Sequence, residues 1–152
     1  MSIEKDIKSK FRNEGHKAAV NIILTSNWIL EKQKIHFDRG GLTAQQYNIL
    51  RILRGSNTPL STLQIRERML DKMSDTSRIV DRLIAKNFVE KCVNRHDKRL
   101  VDVTITQNGR DLLQMMDKYS HEIDQVFSNL TETEIIQLNL LLDKSREQRN
   151  EE

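Results

Sequence analysis

SDTSRIVDRLIAKNFVEKCVNRHDKRLVDVTIT, residues 74–106, reads as a short helix followed by two strands joined at a basic tip. At about 100° per residue, Ile79, Val80, Leu83 and Ile84 fall in one apolar arc with Thr76 beside them. Ser74, Arg78, Asp81, Arg82 and Ala85 share the opposite arc. One side suits a core and the other suits a groove. Ser74 is the expected N-cap, its hydroxyl accepting from a free amide of the first turn. That start places Arg78 at the amino end of the helix, the part of a recognition helix that meets base edges. Beyond it, Phe88 to Val93 and Leu100 to Thr106 are rich in β-branched residues, with Val101, Val103 and Ile105 alternating with polar neighbours, and predict two strands. The connecting Asn94-Arg95-His96-Asp97-Lys98-Arg99 is too charged to bury. A cationic hairpin tip directly after a helix with an arginine face suits a DNA duplex, helix in the major groove and tip toward the adjacent minor groove or backbone.

The wider order of motifs is LT-xx-Q (Leu42, Thr43, Gln46), then a helix-turn-helix, then SR-x-VDRL (Ser77, Arg78, Val80, Asp81, Arg82, Leu83). A hairpin carrying D-x-R (Asp97, Arg99) and V-x-IT-xx-G (Val103, Ile105, Thr106, Gly109) complete it. Together these motifs resemble the winged helix-turn-helix regulators of the MarR type, over most of the chain. No single piece is specific; the ordered set is. The resemblance implies a mostly α fold with a small β-hairpin, flanked by N- and C-terminal dimerisation helices. It also implies a homodimeric DNA-binding regulator of transcription, often a repressor released by a small molecule.

The chain departs from the family pattern at Arg66, where a small residue is common, and in the turn around Leu70-Asp71-Lys72, which lacks the usual glycine. Asn87 stands where a glycine often precedes the first wing strand, and Asn tolerates a left-handed backbone better than most residues. Cys92 occupies a wing position that is often arginine.

Read from the residues alone, Arg78 and Arg82 fit solvated surface charge as well as they fit a DNA contact; the resemblance favours the contact. Arg78 is then the base reader, with Ser74, Thr76 and Ser77 as polar helpers. The resemblance sends Arg99 to the minor groove while Asp97 steadies the wing, with Arg95 and Lys98 adding charge at the tip. Ser61, Thr62 and Gln64, at the start of the preceding helix, are weaker candidates for phosphate contacts.

At 152 residues with a net charge of +3, a basic surface must come from local clustering. A single cysteine excludes an internal disulfide and a Cys-rich zinc site. Cys92 reads as a half-buried strand residue before it reads as a redox switch. His16, His36, His96 and His121 form no i, i+4 ligand pair, so no metal and no cofactor are expected. No Gly-rich phosphate loop, nucleophile elbow or zinc-protease helix is present, which argues against an enzyme. No apolar run approaches the ~20 residues that span a bilayer, and the amino terminus lacks a signal-peptide pattern, so the expected location is the cytoplasm.

In chain order, helical spacing covers about 8 to 37, with Gly15 fraying its start and Asp38-Arg39-Gly40-Gly41 ending it. Capping boxes begin helices at Thr43 to Gln46, Ser61 to Gln64 and Thr131 to Glu134. Arg110 to Phe127 reads as one helix and Glu132 to Arg146 as the last. That last helix is apolar nearly all round and asks for a second subunit. A single MarR-like domain spanning 1–152 follows, with the winged region at about 38–106 and dimerisation helices at about 8–37 and 107–149. Trp28, Tyr47, Met115, Met116 and Tyr119 are either ordinary core or the lining of an effector crevice between the two parts; Trp28, Tyr47, Met115 and Tyr119 are the residues assigned to such a site. The expected partners are a pseudo-palindromic duplex, a second copy and a small-molecule effector. The competing reading is a helical protein-interaction module without sequence-specific DNA binding.

Overall fold

The computed structural model describes residues 3–8, 10–94 and 101–147. Ile3–Ile7 (α1) is one short turn pinned to the long helix Glu14–Arg39 (α2) by Lys17 Nζ on Glu4 at 2.5 Å. The helix expected from about residue 8, with its start frayed at Gly15, begins instead at Glu14 after a break. Lys8 takes a left-handed backbone (φ 49°), and Asn13 caps α2 by accepting from the His16 amide at 2.8 Å. Helix α2 ends at Gly40, and Gly41 turns the chain at φ +59°, a conformation open to glycine at no steric cost.

All three capping boxes form. Thr43 Oγ1 accepts from the Gln46 amide at 3.2 Å and Gln46 Oε1 from the Thr43 amide at 3.1 Å, opening Ala44–Arg54 (α3). Ser61 and Gln64 do the same for Thr62–Arg68 (α4), and Thr131 and Glu134 for Glu132–Arg146 (α8). Each box satisfies two amides that a helix start would otherwise leave bare.

The sheet holds Leu60–Ser61 (β1), Val89–Val93 (β2) and Val101–Ile105 (β3), antiparallel in the order β1-β3-β2. The sequence suggested only the β2–β3 hairpin. The two-residue β1 completes it, with Leu60 opposite Val103 and Ser61 opposite Asp102. This third strand makes β3 central and buries Asp102, which the alternating pattern had marked as outward; its Oδ2 accepts from Asn94 Nδ2 at 2.8 Å.

Thr76–Ala85 (α5) buries Val80 and Leu83 against Ile49 and Leu50 of α3, Ile65 of α4 and Val89 of β2. Leu113 and Met116 of Gln107–Asp117 (α6) close this core from the far side. The single helix expected over Arg110 to Phe127 is instead α6, a short Ser120–Asp124 (α7) and a 3₁₀ turn Gln125–Phe127. At the break, Arg39 of α2 lies over the Tyr119 ring (4.3 Å) and donates to Glu122 at 2.7 Å. A second tie, Arg54 to Asp117 at 2.6 and 3.1 Å, joins α3 to α6 through both carboxylate oxygens. The hydrogen bond to Arg54 holds the Asp117 carboxyl below its usual range.

Candidate nucleic-acid interface

Asp75, not Ser74, caps α5, its Oδ1 accepting from the Arg78 amide at 3.1 Å. Ser74 is otherwise engaged, for its hydroxyl donates to the Asp71 carbonyl at 2.8 Å. Both residue types cap well, and the competing turn decides between them. Arg78 still sits in the first turn. The Thr76 side chain points inward, 5% exposed, and donates to Met69 Sδ at 3.4 Å. It belongs to the core rather than to a polar surface facing DNA.

The other end of α5 is held by a Schellman motif. The Phe88 amide donates to the Leu83 carbonyl at 3.0 Å and the Asn87 amide to that of Ile84 at 2.8 Å, with Asn87 at φ 58°. The residue that replaces the usual glycine therefore does adopt the left-handed turn. Lys91 on β2 pairs with Asp81 on α5 at 3.0 Å. Both are exposed, so the pair is worth at most about 1 kcal/mol; it aligns the wing's first strand with the helix.

Two grooves bracket the amino end of α5. One is lined by Thr43, Gln45, Gln46, Asp75, Arg78, Ile79 and Arg82, bringing the two arginines against the first turn of α3. The other is lined by Thr62, Leu63, Arg66, Ser74, Asp75, Thr76 and Ser77, where α4 and α5 meet. Of the residues expected at the interface, Arg78 and Arg82 thus share one groove, and Thr62, Ser74, Thr76 and Ser77 line the other, Thr76 with its hydroxyl turned to the core. Ser61 and Gln64 are committed to each other as a capping box. Arg95, Asp97, Lys98 and Arg99 lie outside the described residues. The sequence reading left out Leu63 and noted Arg66 only as a departure from the family pattern; their i, i+3 spacing on the exposed side of α4 was the available signal.

Of the four residues assigned to an effector crevice, Tyr47 and Tyr119 both pack near the carboxyl end of α2. Tyr47 packs against His36 and Phe37, with centroids at 5.4 and 5.2 Å, while Met115 packs on the core. Tyr119 stacks with Arg39, and Trp28 stands about two turns further up α2 than His36. None of the four lines either groove. Cys92 is half-buried on β2, as read. Among the described residues, no group of His, Cys, Asp and Glu could hold a metal ion, and no helix is long and apolar enough to cross a membrane.

His36 is 2% exposed, and neither ring nitrogen has a hydrogen-bond partner among the described residues. Burial first, then the Arg39 guanidinium, push its pKa below 6.5; Glu122 and Asp117 pull the other way, and Arg51 adds the smallest push downward. The folded protein therefore binds the His36 proton less readily than the unfolded chain does. Stability is full above the unfolded value and declines as pH falls through it toward the folded one. Thermal melts between about pH 7.5 and 5 should show a falling midpoint that is flatter in His36→Leu; parallel curves would count against the buried neutral imidazole.

A family model described as the MarR family matches residues 40–100. The multiple antibiotic resistance protein MarR of Salmonella typhimurium is 30% identical over 107 residues, covering 68% of this chain and 72% of that protein. This chain belongs to the MarR family. The Escherichia coli MarR is 28% identical over 107 residues with the same coverage. Among solved structures, a mutant MarR from E. coli complexed with operator DNA aligns with a TM-score of 0.82 at 23% identity, covering 91% of this chain and 100% of that one. Bordetella bronchiseptica BpsR, whose DNA binding is regulated by 6-hydroxynicotinic acid, aligns at 0.73 and 22% identity, covering 86% and 99%. The MarR winged-helix fold is thereby established. As a MarR-family member the chain is a transcription regulator and not an enzyme.

Proposed function

We propose that this MarR-family regulator is a homodimeric repressor that reads a pseudo-palindromic DNA site and releases it on binding a small-molecule effector. The observation that carries this reading is the groove in which Arg78 and Arg82 stand together on the exposed side of α5, against the first turn of α3. A bidentate arginine on guanine is the commonest specific contact in the major groove, and Arg78 occupies the turn of α5 that would enter first. Within this reading, the winged region at about 38–106 binds DNA and the segments at about 8–37 and 107–149 dimerise. Arg95, Lys98 and Arg99 are assigned to the wing tip on sequence grounds alone. Dimerisation is supported by exposed Ile22, Ile23, Leu30 and Ile35 on α2 and Ile136, Leu140 and Leu141 on α8. Effector release is supported by the relationship to BpsR.

Sequencing the duplexes retained from a random pool tests the reading. An inverted repeat with half-sites about 10 base pairs apart, centre to centre, is expected from two recognition helices one helical turn apart. On that site, Arg78→Ala is expected to cost about 1–3 kcal/mol per half-site, roughly 5- to 150-fold in Kd for each of the two, and to relax preference at one position of each half-site. Retention of no specific duplex, or an Arg78→Ala protein with unchanged affinity and preference, would overturn it.

A further inference from the structure

The groove between α4 and α5 holds a side chain that polar contacts with DNA do not explain. Leu63 is 61% exposed there, one helical turn from the exposed Arg66, with Thr62, Ser74 and Ser77 around them. A leucine left in water among hydroxyls forgoes the gain of burial, and this groove adjoins the arginine groove through Asp75, which lines both. We infer that Leu63 reads the C5-methyl of a thymine in the major groove, while Arg66 holds a phosphate beside it. The inference rests on the DNA-binding reading above.

The thymine methyl is the one apolar group that base edges offer in the major groove, and apolar side chains recognise it by contact. Leu63 and Arg66, three residues apart, lie on the same face of α4. An apolar base contact and a cationic backbone contact can therefore be made by one helix face at once. The chemistry is division of labour: the methyl contact selects sequence, and the guanidinium adds affinity to every sequence alike. Asp75 limits where the duplex can sit, because its Oδ1 is committed to the Arg78 amide and its charge opposes a phosphate.

The test uses the full-length protein and the duplex it selects from a random pool. Each thymine is replaced in turn by deoxyuridine, which removes only the methyl. At one thymine per half-site the wild-type protein should bind about fourfold more weakly, the value of one buried methyl-sized group. Leu63→Ala should bind the thymine and deoxyuridine duplexes equally. Arg66→Ala should weaken binding to all of these duplexes by the same factor and reduce the slope of log affinity against log salt by about two, one phosphate contact from each protomer. Both side chains are exposed, so the variants should keep the wild-type melting temperature. If the wild-type protein is indifferent to every methyl, or Leu63→Ala keeps its discrimination, the Leu63 assignment is overturned while the DNA-binding reading stands. An unchanged salt slope in Arg66→Ala overturns the phosphate assignment in the same way. If the wild-type protein selects no duplex, both the reading and this inference fall together.

Discussion

Leu140→Glu combined with Leu141→Glu is expected to yield a folded monomer whose affinity for its DNA site is lower by two to four orders of magnitude. The helix that carries both residues, α8, has no fully buried side chain; only Ile135, Leu138 and Leu142 are half-buried within the protomer. Leu140 and Leu141 are 64% and 66% exposed, so the substitution removes little that holds the protomer together. Its cost falls on an interface between copies, where two carboxylates would have to leave water without partners. Affinity then falls by mass action. In a dimer, binding one half-site presents the second recognition helix to the other at an effective concentration near millimolar, and this linkage multiplies affinity by about 10²–10⁴ with no new contact. A monomer keeps every contact of one half-site and loses the multiplication. Light scattering gives the mass, circular dichroism the fold and a mobility-shift titration the affinity. A variant that remains dimeric, or a monomer that binds as tightly as the wild type, would show that the exposed faces of α2 and α8 serve something else.

Much of this architecture was legible because local chemistry and tertiary demand agree. The three capping boxes formed where Thr43, Ser61 and Thr131 stand three residues before a Gln or Glu, since the hydrogen bonds involved are local and owe little to the rest of the fold. The division of α5 into a buried face at Val80 and Leu83 and an exposed one at Arg78 and Arg82 followed from helical spacing alone. Asn87 was legible for the same reason, as a residue able to take the left-handed turn.

The misreadings share the opposite cause. Ser74 and Asp75 are near-equal caps, and the choice was made by the Asp71 carbonyl, which takes the Ser74 hydroxyl. Thr76 lay beside the apolar arc by angle but was grouped with the polar residues by type; the Met69 sulfur, seven residues back, gave its hydroxyl a buried partner. β1 is two residues long, too short for periodicity to reveal. The break at Tyr119 has no glycine or proline to announce it. It is stabilised by Arg39, eighty residues earlier in the chain, through the ring of Tyr119 and the carboxylate of Glu122. At the candidate interface, Leu63 escaped notice because an exposed leucine looks ordinary until the groove around it is known.

Gly109→Ala is expected to lower the melting temperature by about 2–12 °C, from a steric cost of about 1–3 kcal/mol. A Cβ on Gly109 would lie 2.3 Å from the Phe88 carbonyl oxygen and 2.8 Å from Ile105 Cγ1. The first is the more serious contact, because it is backbone and cannot rotate away. That carbonyl also accepts from the Thr106 amide at 3.1 Å. Thr106 in turn caps α6 by accepting from the Gly109 amide at 3.2 Å, and its hydroxyl donates to the Asn87 carbonyl at 2.8 Å. The end of α5, the root of the wing and the start of α6 therefore meet at one point, with glycine as the spacer. Relief of the clash must move α6 away from Phe88, which breaks this set of bonds and shifts the wing relative to Arg78. Weaker DNA binding is accordingly expected even at temperatures where the variant is folded. Gly41→Ala is the informative control, since nothing lies within 4 Å of its added Cβ and only its φ of +59° opposes the change. It should destabilise by the left-handed cost of about 1–2 kcal/mol and leave DNA binding by the folded fraction unaltered. A Gly109→Ala protein that melts with the wild type would mean that the Phe88 carbonyl is free to move and that the glycine of the V-x-IT-xx-G motif is not there to make room for it.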